Sequence, residues 1–242
     1  MRKLYLVPII HTRSDMGSIS PVLSAISIKA YGEELWTKHQ QTVVKFWDAI
    51  SLFFKSLDVR DFKIYQDGLI TDGAESISII DEGARLGSVN YKIIADLIQR
   101  GAVLVKTEDF DLVQKEYTYI KNLTSAKSSR EIKSIASKYK LIQNQLLLDR
   151  DKFIAGTIVN TLKNDETGVL FIGAYHDIIS KMPADILITQ VKQVSMVSEY
   201  HRMLSNLNSQ NRERFQHLAK YLASPVSAIA ASPIERHQVE LK

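Results

Sequence analysis

The 242-residue chain is long enough for one sizeable α/β domain or two small ones, and its 45% apolar and 24% charged content, with a formal net charge of +4, is ordinary for a soluble globular protein. Lys and Arg are scattered among acids with no basic block interleaved with aromatics, which argues against a nucleic-acid partner. The absence of cysteine excludes disulfides, thiolate metal sites and a cysteine nucleophile, and is in keeping with a cytoplasmic protein.

Met1-Arg2-Lys3 ahead of an apolar run has the outline of a signal peptide. The run is short, however, contains Pro8 and ends in His11 without a small-residue cleavage site. No window approaches the roughly 18–20 apolar residues of a membrane span. The expectation is a soluble, unprocessed chain with no membrane partner.

Residues 3–10 read as a buried first strand, and Thr12 to Ser18 as a polar loop leaving it. From Glu33 to about Leu57, apolar residues recur every three or four positions and predict a helix. Residues 62–69 alternate as a strand does and close on the turn signal Asp67-Gly68. Two short helices are expected over 75–85 and 88–100, with Gly87 and Gly101 as stops. A strand over 102–106 follows, then helices over 109–123 and about 129–164. The last of these is long enough to be a helix pair or projecting hairpin, and an arm for self-association.

Gly168 to Ala174 is an apolar run that stops at glycine, a buried strand with His176 just past its end. A short helix from Asp177 ends before Pro183; a strand over 185–191 and helices over 193–206 and 210–222 complete the packed part. The pattern predicts one α/β domain over 1–223, mostly parallel and covered by helices on both faces, with 108–164 as a helical arm or cap. Residues 224–242, with prolines and small residues, are expected to be a poorly ordered tail.

Two strands that each run out into a histidine, His11 and His176, concentrate the chemistry, because ligands bind beyond the carboxyl ends of parallel strands. Imidazole there serves as metal ligand or proton acceptor, and a metal needs a third ligand. Asp67, Glu75, Glu108 and Asp15 are the acidic candidates. Each has an ordinary alternative: Asp67 a turn aspartate, Glu75, Glu108 and Asp109 helix N-termini, Asp177 an N-cap. Arg150, with Asp149 and Asp151 beside it, is either locally ion-paired or able to clamp an anion. His39, His201, His217 and His237 read as incidental. Ser14 and Ser18 lie near His11, but no nucleophile elbow, dinucleotide fingerprint or phosphate loop is present.

Gly173-Ala174-Tyr175-His176 and Arg150-Asp151-Lys152-Phe153-Ile154-Ala155 together resemble the TraB/TIKI/EreA/ChaN-like superfamily, which carries two Gly-x-x-His motifs and an arginine-containing helix ahead of the second. The resemblance spans about residues 4–192. Pro8-Ile9-Ile10-His11 departs from the first motif by proline in place of glycine, and Asp67 stands where the superfamily usually has glutamate. It implies one shared scaffold with several chemistries: metal-dependent peptidases, histidine esterases and haem binders.

The expectation is a hydrolase-like protein acting on a small-molecule or peptide substrate, with peptide or ester hydrolysis at His11 and His176. A divalent metal (manganese, cobalt or zinc) would be held by His11, His176 and Asp67. Asp67 or Glu75 would be the base, and Arg150 would position negative charge. The alternative is a non-catalytic protein taking haem or another small molecule, with Tyr175 beside His176 as a cofactor contact.

Overall fold

Side chains that alternate along each strand feed two separate cores, one on either face of the sheet. In β1 (Arg2–Ile9), Leu4 and Leu6 enter one core, Val7 and Ile9 the other. In β4 (Thr167–Gly173), Val169 and Phe171 part in the same way from Leu170 and Ile172. This is the period of two that a strand buried on both faces requires. The computed structural model describes residues 1–11, 28 and 32–230. The expected loop at 12–18, with Ser14, Asp15 and Ser18, and the segment 231–242, with His237, lie outside the described residues.

The sheet contains five parallel strands in the order β3-β2-β4-β1-β5, where β2 is Lys63–Gln66, β3 Val103–Val105 and β5 Ile186–Gln190. One core lies under α1 (Glu33–Lys55), α2 (Gly73–Arg85), α3 (Val89–Gln99), α6 (Val194–Ser205) and α7 (Arg212–Ala223). Trp47 of α1 anchors the end of β1, its indole N–H donating to the Ile10 carbonyl at 2.9 Å. The opposite core forms against the C-terminal half of α5 (Ser129–Thr161) through Ile154, Ala155 and Ile158. The α/β class expected from the sequence is the one observed.

Three differences from the expected layout have local causes. The 33-residue α5 is one continuous helix; the hairpin is formed by α5 and the preceding α4 (Phe110–Ser125). Asp109 caps α4 by accepting from the Leu112 N–H, and Ser128 caps α5 by accepting from the Glu131 N–H, so two N-caps fix the corner. Residues 224–230, placed by composition in a loose tail, are seated instead. Ile229–Ala230 pair antiparallel with β5 as β6, and the buried Lys192 ammonium donates to the carbonyls of Tyr221 and Ser224. After β4 a single turn, Ile179–Lys181, takes the place of a short helix.

At Gly83, α2 comes so close to α3 that a Cβ added there would lie 1.8 Å from Cδ2 of Tyr91. Gly83→Ala is therefore expected to destabilise the fold by about 1–3 kcal/mol through overpacking. The double variant with Tyr91→Ala should recover part of that loss in urea unfolding. An unchanged midpoint for the single variant would mean that the Tyr91 ring swings aside freely.

Candidate functional site

Because β2, β4 and β1 are neighbours, Asp67, His176 and His11 arrive at one end of the sheet from distant parts of the chain. They line a single cavity of about 750 Å³, together with Gln66, Asn90, Tyr91, Glu116, Tyr139, Arg150 and Tyr175 among others. α5 passes this end and contributes two consecutive residues. Neighbours on an α-helix point about 100° apart, so Arg150 and Asp151 serve different partners.

Arg150 is buried and surrounded by carboxylates. Its Nε donates to Glu108 Oε2 at 3.0 Å and its Nη2 to Asp67 Oδ1 at 2.6 Å. Nη2 also donates to Glu108 Oε1, and Nη1 to Glu116 Oε2. These bonds use the Nε hydrogen, both on Nη2 and one on Nη1. A single Nη1 hydrogen is left of the five a guanidinium offers, among the described residues. The expected role of Arg150 as an anion clamp is corrected accordingly: it does reach the strand ends, but the protein's own acids occupy it.

Backbone N–H groups complete the cluster. Gly173 N donates to Asp67 Oδ2 at 3.0 Å and Gly68 N to Glu108 Oε1 at 3.1 Å. Burial opposes ionisation of Asp67, but the charges of His176 and Arg150 and the bonds from Gly173 and Glu108 outweigh it. Asp67 is held below the usual carboxylate range. Glu108, 0% exposed, goes the other way: burial raises it, the charge of Asp67 adds to the rise, and Arg150 offsets only part. The pair therefore divides into an ionised Asp67 and a Glu108 more ready to hold a proton.

The second constellation is His176 with Asp151. His176 Nδ1–H donates to Asp151 Oδ1 at 2.5 Å, while Asp151 Oδ2 accepts from the Asp177 N–H at 3.0 Å. This fixes the tautomer and turns Nε2 toward Asp67 Oδ2, 3.6 Å away. That gap is too long for a hydrogen bond and leaves both atoms able to meet a ligand. Burial disfavours the imidazolium, yet the Asp151 bond and the charges of Asp67 and Asp151 prevail, against some opposition from Arg150. The His176 pKa is raised.

The remaining candidates divide. His11 is exposed and lines the cavity; Tyr175, 58% exposed, stands at its rim. Glu75 is corrected: it sits exposed in the first turn of α2, away from the cavity lining, where it complements the helix dipole. His39 donates to or accepts from Tyr200 Oη at 3.0 Å inside the core, and burial pushes it down to about 4. His201 is lowered to about 4 by burial and by the charge of His11.

For a metal, His176 Nε2 and Asp67 Oδ2 face each other, but Asp67 is already bound by Arg150 and Gly173. Among the described residues no group of three His, Asp or Glu side chains is arranged to hold an ion. The cavity lining mixes the polar Gln66, Asp67, Asn90 and Glu116 with the apolar Ile9, Ile120 and Leu147.

Sequence reasoning held Glu108 as an acidic candidate with a helix N-terminus as its ordinary alternative, and did not assign Asp151 or Glu116 to the site. Asp151 carried a signal: it stands three, four and seven residues before Ile154, Ala155 and Ile158, on the buried stripe of its helix. Glu116 carried none.

Comparison with protein-family models, with curated proteins and with solved structures found no match. The class is therefore defined by geometry: a parallel α/β protein with a His–Asp pair beside a buried arginine–carboxylate cluster at its strand ends.

Arg150→Met is expected to cost about 3–5 kcal/mol in urea unfolding, because it leaves buried carboxylates uncompensated. Arg150→Lys should recover only part, lacking the fork that reaches several acids at once. A near-neutral Arg150→Met would show that the cluster is solvated instead.

The His176 interaction also carries a pH signature. A pKa raised above the unfolded value of about 6.5 adds stability that is full below that pH and fades as pH rises through the folded value. The melting temperature of the wild type should therefore exceed that of His176→Gln most near about pH 6 and least near about pH 9. A gap that widens toward alkaline pH would contradict this sign.

Proposed function

We propose that the protein is a hydrolase of carboxylic esters or amides, working by histidine acid–base chemistry without a metal in the reacting centre. The observation that carries this reading is the orientation of His176. Asp151 holds Nδ1–H, and Nε2 faces the cavity beside the ionised Asp67. A ring held in one tautomer with its free nitrogen in a cleft has the geometry of a general base with its orienting carboxylate. The superfamily that Gly173-Ala174-Tyr175-His176 resembles counts histidine esterases among its several chemistries.

In this reading the neutral Nε2 takes a proton from water as the water oxygen bonds to the substrate carbonyl carbon. The carbonyl π pair moves to oxygen. When the carbonyl reforms, the bond to the leaving oxygen or nitrogen breaks, and the imidazolium returns the proton to that leaving atom. Asp151 stabilises the imidazolium between the two transfers. Asp67, fixed at both oxygens, orients water on the far side of Nε2.

Hydrolysis of 4-nitrophenyl esters by the wild type tests this directly. His176→Ala is expected to lower kcat/KM by about 10²–10⁴-fold, and Asp151→Asn by about 10²-fold or more. The wild-type rate should rise with pH through a midpoint above about 6.5, and Asp151→Asn should move that midpoint down. Overnight chelation should leave the rate unchanged. A wild type no faster than His176→Ala on esters and on peptide amides would end the hydrolase reading. Loss of activity on chelation, restored by zinc or manganese, would return it to a metal mechanism.

A further inference from the structure

One buried polar atom of a cavity-lining residue has no role in holding the protein together. Asn90, at the start of α3, is 4% exposed and lines the cavity. Its Nδ2 donates to Gln66 Oε1 at 2.9 Å, and Gln66 Nε2 donates to the Asp67 carbonyl at 3.0 Å. A carbonyl only accepts, so Gln66 must present its amine end to Asp67 and its oxygen to Asn90. Asn90 must then give its own amine end to Gln66. The chain of amides thus fixes the orientation of both side chains, and Asn90 Oδ1 is the atom left over. Among the described residues it has no hydrogen-bond partner.

A buried amide oxygen without a partner costs about 1–3 kcal/mol, and native proteins seldom leave one so. Here Asn90 belongs to the lining of a cavity that also holds His176, and the Gln66 relay ties its side chain to Asp67 next to the reacting nitrogen. The acceptor is preset, and what it lacks is a donor.

We propose that Asn90 Oδ1 is a substrate-recognition group that accepts a hydrogen bond from an N–H of the ligand. The substrate class is therefore acylated amines and amino-acyl compounds, peptides included, in preference to plain acyl esters. The inference rests on the hydrolase reading only in placing the reacting carbonyl at His176; binding through Asn90 needs no reaction. A ligand without the N–H leaves Asn90 buried and unpaired, which is how a site built for a hydrogen bond rejects the analogue that lacks it.

The test uses two neutral probes, N-acetylphenylalanine methylamide and its doubly N-methylated analogue, in which methyl groups replace both N–H donors; Asn90→Leu controls for the added bulk. Ligand-observed NMR titration of the intact wild-type chain should show the N–H probe binding about tenfold tighter or more. In Asn90→Leu, shown to be folded by its circular dichroism melt, the two probes should bind alike. Should that variant not fold, the Asn90 side-chain amide resonance of labelled wild type serves instead, moving with the first probe and not the second.

Equal binding of both probes by the wild type overturns the proposal. So does a preference that survives in folded Asn90→Leu, or an Asn90 resonance blind to the first probe. These outcomes are separable from the hydrolase reading. A protein that prefers the N–H probe but cleaves no ester or amide keeps this inference and loses the other. One that cleaves esters and ignores the N–H keeps the other and loses this.

Discussion

A guanidinium buried at the end of a sheet dictates much of the surrounding structure. Removed from water, Arg150 requires acceptors in nearly every direction of its fork, and they come from the end of β2, the segment after β3 and the middle of α4. Those bonds lash the helical hairpin to the sheet. They also make Glu108 possible, since a carboxyl shut off from solvent is tolerated only where a cation and a backbone N–H meet it. The same cluster shapes one wall of the cavity, so stability and site share a single set of interactions.

The reacting centre depends on this cluster without being part of it. Asp67 belongs to both: Oδ1 faces Arg150, and Oδ2 faces Gly173 N and His176. The charge of the guanidinium opposes protonation of the imidazole, which Asp151 and Asp67 favour. A helix that presents Arg150 and Asp151 in succession sets up this opposition with one backbone. Small shifts of α5 would alter both partners together, and its packing through Ile154, Ala155 and Ile158 on the sheet prevents that.

Elements and layers were legible because they follow from local periodicity. Alternation in β1 and β4, and the three-to-four spacing in α1, express the burial that folding demands, and each observed element but β6 falls near its expected place. His176 was legible for a related reason: glycine after a buried run marks a strand end, and the residues beyond it face the crevice. The two-residue edge strand at Ile229–Ala230 was not, since seven residues of mixed small side chains carry no period and the seat is provided by β5.

The sequence by itself determined an α/β chain, its strands and helices, and a histidine at the end of β4, because each is a property of nearby residues. Only the tertiary structure decided what those residues meet. Asp67 is 106 positions from Gly173 and 83 from Arg150, and no local rule relates them until the strand order makes β2 and β4 neighbours. The choice between an arginine that clamps a ligand and one consumed by its own acids is a matter of distance in space. So is the difference between an exposed Glu75 and a buried Glu108, two acids that look alike at the starts of helices.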